Sequence, residues 1–137
     1  MTLKDFLGII CPITTENGAT EMRPKIICAD GFNMSVQASQ YHYSRPRVAN
    51  AREYNAIECA SPSDENVPEI IDYAESPNIP TCSVYGYVPI ENVEKLIENH
   101  GGLDVDAMIK WTTTHYALRT DLPFTAGYFA HEMKKFL

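Results

Sequence analysis

The chain lacks most of the patterns from which a function is named. Its seven glycines form neither a dinucleotide-binding nor a phosphate-binding loop. Its four cysteines and four histidines show neither C-x-x-C nor H-x-x-x-H spacing, so we expect no metal site. No apolar run approaches the roughly 18–20 residues of a membrane-spanning helix. The sequence therefore predicts a protein without a metal, a cofactor or a membrane span.

Length and composition indicate one ordinary globular domain. The chain has 137 residues, of which 45% are hydrophobic and 21% charged, and these values exclude wholesale disorder and fibrous repeats. The cysteines are too few for a disulfide scaffold, and the first residues lack the basic start of a secretory signal. We expect one cytoplasmic domain over 1–137, with 103–137 as a possible C-terminal helical extension.

Hydrophobic periodicity predicts an α+β fold, in which amphipathic helices pack on one face of a small, mostly antiparallel sheet of three to five strands. Its clearest element is a hairpin of strands 25–29 and 32–39, joined by the two-residue turn Asp30-Gly31. Phe32, Met34, Val36 and Ala38 alternate with polar residues, so that one sheet face is apolar and the other faces water. Further strands are predicted at 54–60 and 83–88, a loop at 13–24, and helices from Thr2 to about residue 10, near 68–74, and over 89–99, 105–113 and 125–136.

Charge divides the sequence into two poles. Residues 23–52 hold five basic residues against one acid, whereas residues 53–106 hold twelve acids against one lysine. Such an acidic stretch repels duplex phosphate, and it either solvates a surface or attracts a protein with a basic groove. Helical spacing gathers three of the glutamates into one arc of the helix 89–99. The predicted contact residues are Glu91, Glu94, Glu98, Asp64, Glu65, Glu69 and Asp72.

The basic pole contains an aromatic segment directly after the hairpin. Its candidate binding residues are Tyr41, His42, Tyr43, Arg45 and Arg47. Aromatics interleaved with arginines stack on bases or clamp a phosphate or carboxylate. The same composition also suits a loop that covers the end of a sheet and pairs its arginines with acids. Both interpretations stay open, and Pro46 restricts Arg45 to extended conformations.

Nucleophilic catalysis requires a thiol or hydroxyl beside a base. Cys28 and His42, with Glu58 orienting the imidazole, meet this requirement only if the loop folds back over the hairpin. Cys28 lies in an apolar run, which is typical of a small core residue. We therefore predict no catalytic residues and no enzyme.

Two segments resemble a group of short bacteriophage and prophage proteins of unassigned function. The segments are IICADGFNMSVQASQYHY at 26–43 and VYGYVPIENVEKLIENHGG at 84–102. The resemblance covers roughly residues 2–102 and carries no catalytic residues. It implies an accessory protein that binds and blocks a host enzyme, such as a component of CRISPR or restriction systems.

These observations favour a small acidic accessory protein of phage type, active in the host cytoplasm. It would inhibit a nucleic-acid-processing or defence protein through its acidic face, as anti-CRISPR and anti-restriction proteins do. One alternative is a small-ligand-binding protein or enzyme that uses the Tyr41–Arg47 segment. A second alternative is a structural or housekeeping phage domain whose charges serve solubility.

Overall fold

Four strands form one antiparallel sheet in a computed structural model of the chain. The structure describes residues 1–11, 22–116 and 123–137. The strands are β1 (Ile26–Ile27), β2 (Asn33–Gln37), β3 (Ala56–Ala60) and β4 (Val84–Pro89). Each strand pairs with the next along the chain, so the sheet is a simple meander. The predicted α+β class with a small antiparallel sheet is confirmed.

The helices flank the sheet in sequence. They are α1 (Leu3–Gly8), α2 (Ile90–Asn99), α3 (Val105–Trp111) and α4 (Pro123–Met133). A π-helical turn, Thr112–Tyr116, continues α3, and short 3₁₀ turns cover Ile71–Tyr73, Pro80–Cys82 and Lys134–Phe136. The helix predicted near 68–74 is reduced to one of these turns, because the flanking prolines leave no room for a longer element. The loop predicted at 13–24 falls largely on residues 12–21, outside the described residues.

Helix α1 begins at the capping pair that the sequence predicts. Thr2 Oγ1 accepts a hydrogen bond from Asp5 N at 3.1 Å, and Asp5 Oδ2 accepts one from Thr2 N at 2.8 Å. The two bonds satisfy two of the otherwise unpaired N–H groups at the start of the helix. They also hold the pKa of the Asp5 carboxyl below its usual range.

The hairpin turn contains three residues rather than the predicted two. Cys28 N donates to Phe32 O at 2.7 Å, and Gly31 N donates to Cys28 O at 2.9 Å. The loop is therefore Ala29, Asp30 and Gly31. Gly31 has φ of 94°, the left-handed conformation that closes a hairpin of this length. The Asp-Gly pair marks the turn correctly, but the glycine occupies its last position.

One hydrophobic core lies between the sheet and the helices. The predicted apolar row of β2 is confirmed, since Phe32, Met34, Val36 and Ala38 are all buried. Side chains from the other strands and from the four helices within the described residues complete this core, among them Phe6, Ile57, Cys59, Tyr85, Val93, Leu96, Met108 and Phe129. Among the described residues, no helix is long and apolar enough to cross a bilayer.

The second face of the sheet is covered beside the end of β2, where the sequence predicted water. The Gln37 amide bonds both backbone groups of Arg23, accepting from its N at 2.7 Å and donating to its O at 2.8 Å. The Arg23 guanidinium is itself buried and donates to Ala38 O and Leu7 O at 2.8 and 3.3 Å. The Gln37 side chain therefore binds a neighbouring chain segment instead of solvent.

Candidate interaction surfaces

Helix α2 carries the three glutamates that the sequence groups together. Ile90, Val93, Leu96 and Ile97 are buried against the sheet. Glu91, Glu94 and Glu98 are exposed, and at about 100° per residue they lie within an arc of about 60°. The buried stripe holds the helix in place, so the glutamates project from a rigid element.

Few acidic side chains of the stretch 53–106 are neutralised by neighbours. The ion pairs between described residues are Asp30–His100, Asp106–Lys110 and Glu132–Lys135. Of the twelve acids, only Asp106 belongs to one of these pairs. Lys95 lies on the same helix as the three glutamates and pairs with none of them in the described part of the chain. The negative charge of this helix face is therefore uncompensated within the described ranges.

A groove runs along the glutamate side of α2. It has a volume of about 440 Å³ and lies between this helix, the start of α1 and the Gly101–Leu103 turn. Leu3, Ile97 and Leu103 supply apolar lining, and Glu94 and Glu98 supply carboxylates. The groove thus combines an apolar surface with negative charge.

The second acidic group, around residues 64–72, adjoins the other flank of α2. Asn92 Nδ2 donates to Glu69 O, and Asn99 Nδ2 donates to Glu69 Oε1, each at 2.9 Å. Through these two bonds Glu69 connects its loop to α2. Its other carboxylate oxygen is buried without a described partner. Asp64, Glu65 and Asp72 are exposed.

On α2, Lys95 and the two asparagines separate these residues from the glutamate arc. At about 100° per residue, Lys95 lies between Glu91 and the Asn92–Asn99 flank. The segment before Asp64 and the C-terminal end of α2 both contact the hairpin. Ser63 N donates to Asn33 O at 2.8 Å, and His100 Nδ1 lies 2.6 Å from Asp30 Oδ2.

A β-bulge interrupts β4 beside the basic segment that follows the hairpin. Ile57 pairs with Val88 and Cys59 with Tyr85, so Gly86 and Tyr87 together oppose the single residue Glu58. Tyr87 has φ of 53°, in the left-handed region that bulky side chains rarely adopt. Bulges re-aim side chains and release a backbone group from the ladder. Here Tyr87 N donates to Tyr43 O at 3.0 Å.

Tyr43 packs directly on this bulge. A Cβ atom placed on Gly86 would lie 3.3 Å from Tyr43 Cβ, so the absence of a side chain at residue 86 permits the close approach. Tyr43 N also donates to Glu58 Oε1 at 3.3 Å. Arg45 then pairs with Ala56 in an extended conformation, its N donating to Ala56 O at 2.9 Å. The predicted extended conformation at Arg45 is confirmed.

Four side chains form a row above the bulge, which we name the Arg–Tyr ladder. Its members are Arg47, Tyr43, Tyr87 and Arg45, in this order. Arg47 Cζ lies 5.2 Å from the Tyr43 ring centroid, and Arg45 Cζ lies 5.0 Å from the Tyr87 centroid. The two rings are 5.6 Å apart with 39° between their planes. Neither arginine forms an ion pair with a described carboxylate.

The remaining residues of the predicted Tyr41–Arg47 site do not join the ladder. His42 Nδ1 lies 2.7 Å from Ser39 Oγ. Burial and the nearby charges of Arg23 and Arg47 lower the pKa of His42. Ser39 is only 1% exposed, so the Ser–His pair fixes the loop and presents no hydroxyl to solvent. The Tyr41 side chain is exposed.

Glu58 lies beneath the ladder. Burial raises the pKa of its carboxyl, as does Glu75, while the Tyr43 N–H bond and Arg47 act in the opposite direction. Because Glu58 alternates with the core residues Ile57 and Cys59, its side chain lies on the sheet face that Tyr43 covers.

The hypothetical triad of Cys28, His42 and Glu58 is not assembled. Cys28 adjoins Phe32 and Leu103 at one end of β2, whereas His42 follows the other end of that strand. Burial raises the pKa of Cys28 to about 12, so its thiolate is strongly disfavoured. In the described ranges, no group of three or more His, Cys, Asp or Glu residues is placed to hold a metal.

Sequence reasoning missed Tyr87, Gly86 and the bulge that joins them to the loop. An isolated glycine between tyrosines in a strand was the available signal, because such a glycine often marks a bulge or a close backbone approach. Comparison with protein-family models, with curated proteins and with solved structures finds no match. The interpretation of both surfaces therefore rests on their geometry.

Proposed function

We propose that this chain is a non-enzymatic interaction protein that binds a basic protein surface through the acidic face of α2. The partner class is a nucleic-acid-processing or defence protein of a phage host, which is inhibited when its basic groove is occupied. The observation that carries the proposal is the arc of Glu91, Glu94 and Glu98, which pairs with no cation among the described residues. Charge of one sign on one surface accelerates encounter with an oppositely charged partner.

The groove beside this arc supports a contact with arginine or lysine side chains. Such side chains place an aliphatic stem on apolar surface while the charged head reaches a carboxylate. The partly exposed Leu103 offers most of that surface, and Glu94 and Glu98 offer the carboxylates. A guanidinium also pairs with a carboxylate through two parallel hydrogen bonds. The groove therefore suits a basic, partly apolar segment of a folded partner.

The rigidity of α2 supports the same role. Its four buried side chains and the Asn99–Glu69 bond fix the helix before a partner arrives. Preorganised groups lose less entropy on binding than mobile ones. Asp64, Glu65 and Asp72, near the Asn92–Asn99 flank that Glu69 binds, form a second proposed contact, which Lys95 separates from the glutamate arc.

The test is a charge reversal on α2 with a matched control. The probe is a fluorescent arginine-rich peptide, and the variant is E91K/E94K/E98K. The control is E53K/E75K/D106K, which makes the same change in net charge at exposed residues outside α2. We expect the α2 variant to weaken peptide binding at least about tenfold, and the control to weaken it much less.

Both variants are expected to fold, because each exposed substitution typically changes stability by no more than about 0.5 kcal/mol, and the Asp106–Lys110 pair lost in the control adds only about 0.3–0.5 kcal/mol. Thermal unfolding followed by circular dichroism checks this. Equal weakening by the two triple variants would show that net charge alone attracts the peptide. Undiminished binding by a folded α2 variant would remove the proposed surface.

A further inference from the structure

The Arg–Tyr ladder is built largely by backbone contacts. Tyr43 is held by bonds from its N to Glu58 and from Tyr87 N to its O, and Arg45 is held by its pairing with Ala56. These bonds do not involve the side chains of Tyr43, Tyr87 or Arg45. The four side chains are thus placed beside each other without an ion pair between described residues to hold them.

The ladder offers two kinds of contact to a ligand. Tyr43 and Tyr87 are 38% and 37% exposed, so parts of both rings remain accessible. Arg45 and Arg47 are exposed and lack a described carboxylate partner. Glu58 lies half-buried beneath the ladder, where Tyr43 N binds it and its charge interacts with that of Arg47. A matching ligand therefore supplies flat aromatic surface together with negative charge.

We propose that the Arg–Tyr ladder binds single-stranded nucleic acid: Arg45 and Arg47 turn from the rings to backbone phosphates, and bases stack on the faces of Tyr43 and Tyr87 that the two guanidiniums leave. Bases stack on aromatic rings and on guanidinium planes, and this stacking tolerates any sequence. An acidic peptide matches the charge but has no flat face for the rings. A duplex hides its base faces, whereas a single strand repeats both contacts along its length, as two neighbouring rings and two arginines require.

This site goes beyond the proposed function and uses the opposite pole of the molecule. The helix α2 belongs to the core on the other face of the sheet. At an ionic strength of 0.1 M, charges farther apart than about 10 Å are largely screened. The net charge of −7 therefore acts on the ladder mainly through the nearest carboxylates, Glu58 and Glu75, and much less through charges beyond this distance.

The size of the ladder sets the expected salt dependence. Two arginines neutralise two phosphates, and a single strand releases about 0.7 counterion for each phosphate neutralised. The logarithm of the association constant is therefore expected to fall against the logarithm of salt concentration with a slope of about −1.4. A larger slope would require cations outside the ladder.

The experiment is fluorescence anisotropy with a labelled oligothymidylate of about ten nucleotides, a length within the range of known single-strand sites. We expect Tyr87→Ala to weaken binding about tenfold, because stacking of one base is lost, and Tyr87→Phe to retain binding. In R45A/R47A the salt slope should approach zero. The matched control is Arg52→Ala, which removes an exposed arginine of the same basic stretch outside the ladder.

Three results would overturn the proposal. The first is that oligothymidylate does not bind at low salt. The second is that Arg52→Ala lowers the affinity for oligothymidylate as much as R45A/R47A does. The third is that an oligoglutamate peptide displaces the labelled probe as well as unlabelled oligothymidylate does. The last result would identify the ladder as a site for acidic protein segments. Ladder variants are expected to bind the arginine-rich peptide normally, so failure of this proposal is distinguishable from failure of the proposed function at α2.

Discussion

Adding one methyl group at Gly86 tests the contact between the bulge and the loop. The new Cβ would lie 3.3 Å from Tyr43 Cβ and 3.4 Å from Tyr43 Cδ2, which is shorter than ordinary van der Waals contact. Tyr43 must move outward by a few tenths of an ångström. Overpacking of this kind typically destabilises the fold by about 1–3 kcal/mol. Replacing Gly by Ala stabilises it by about 0.4–1 kcal/mol, because the unfolded chain then has less conformational entropy. We expect Gly86→Ala to lower the free energy of unfolding by about 1 kcal/mol.

Gly8→Ala is the matched control, because it makes the same chemical change in open space. Apart from its chain neighbours and the backbone of α1, no atom of the described residues lies within 4 Å of a Cβ placed on Gly8. We therefore expect Gly8→Ala to raise the free energy of unfolding by about 0.4–1 kcal/mol. Urea denaturation followed by circular dichroism gives both values, and the oligothymidylate titration shows whether the shift of Tyr43 weakens the ladder. If Gly86→Ala were stabilised as much as Gly8→Ala, the close packing of Tyr43 on the bulge would be refuted.

Two further predictions concern titratable groups. Hydrogen bonds from the Phe32 N–H and, to a lesser extent, His100 hold the pKa of Asp30 below its usual range. The unfolded chain therefore takes up this proton at a higher pH than the folded protein does. The ionised Asp30 stabilises the fold fully above about pH 4, and this stabilisation is lost as the pH falls through the folded pKa. The difference in unfolding free energy between wild type and Asp30→Asn should accordingly narrow on acidification, and a constant difference would contradict the assignment. Burial raises the pKa of both Cys28 and Cys59, while Cys82 is exposed. A disulfide reagent at neutral pH should therefore modify Cys82 first and Cys28 and Cys59 only on unfolding, and rapid modification of Cys82→Ser would show that a buried thiol is accessible.

The parts of the fold with regular spacing could be predicted from sequence. The apolar residues of β2 repeat with the period of a strand, and those of α2 repeat with the period of a helix. Each pattern therefore predicts which face of its element is buried. The capping pair of Thr2 and Asp5 is equally local. The exposed arc of Glu91, Glu94 and Glu98 followed from the same helical period.

Features that depend on contacts distant in sequence were missed. Tyr87 joins Tyr43 only because a bulge forms opposite Glu58, and the register of two strands decides that position. The burial of Arg23 depends on carbonyl groups from α1 and the end of β2, which no local pattern reveals. The hairpin turn was placed one residue too short, because Asp-Gly occurs in turns of both lengths.

The central claim, that α2 presents a preorganised acidic surface to a basic partner, is tested most directly by mapping the contact itself. The arginine-rich peptide is titrated into isotopically labelled protein, and the amide chemical shifts are followed by NMR. The account predicts that the largest changes fall on residues 91–98 and on the Gly101–Leu103 turn beside the groove. Changes spread over all exposed acidic residues, or centred away from α2, would contradict it.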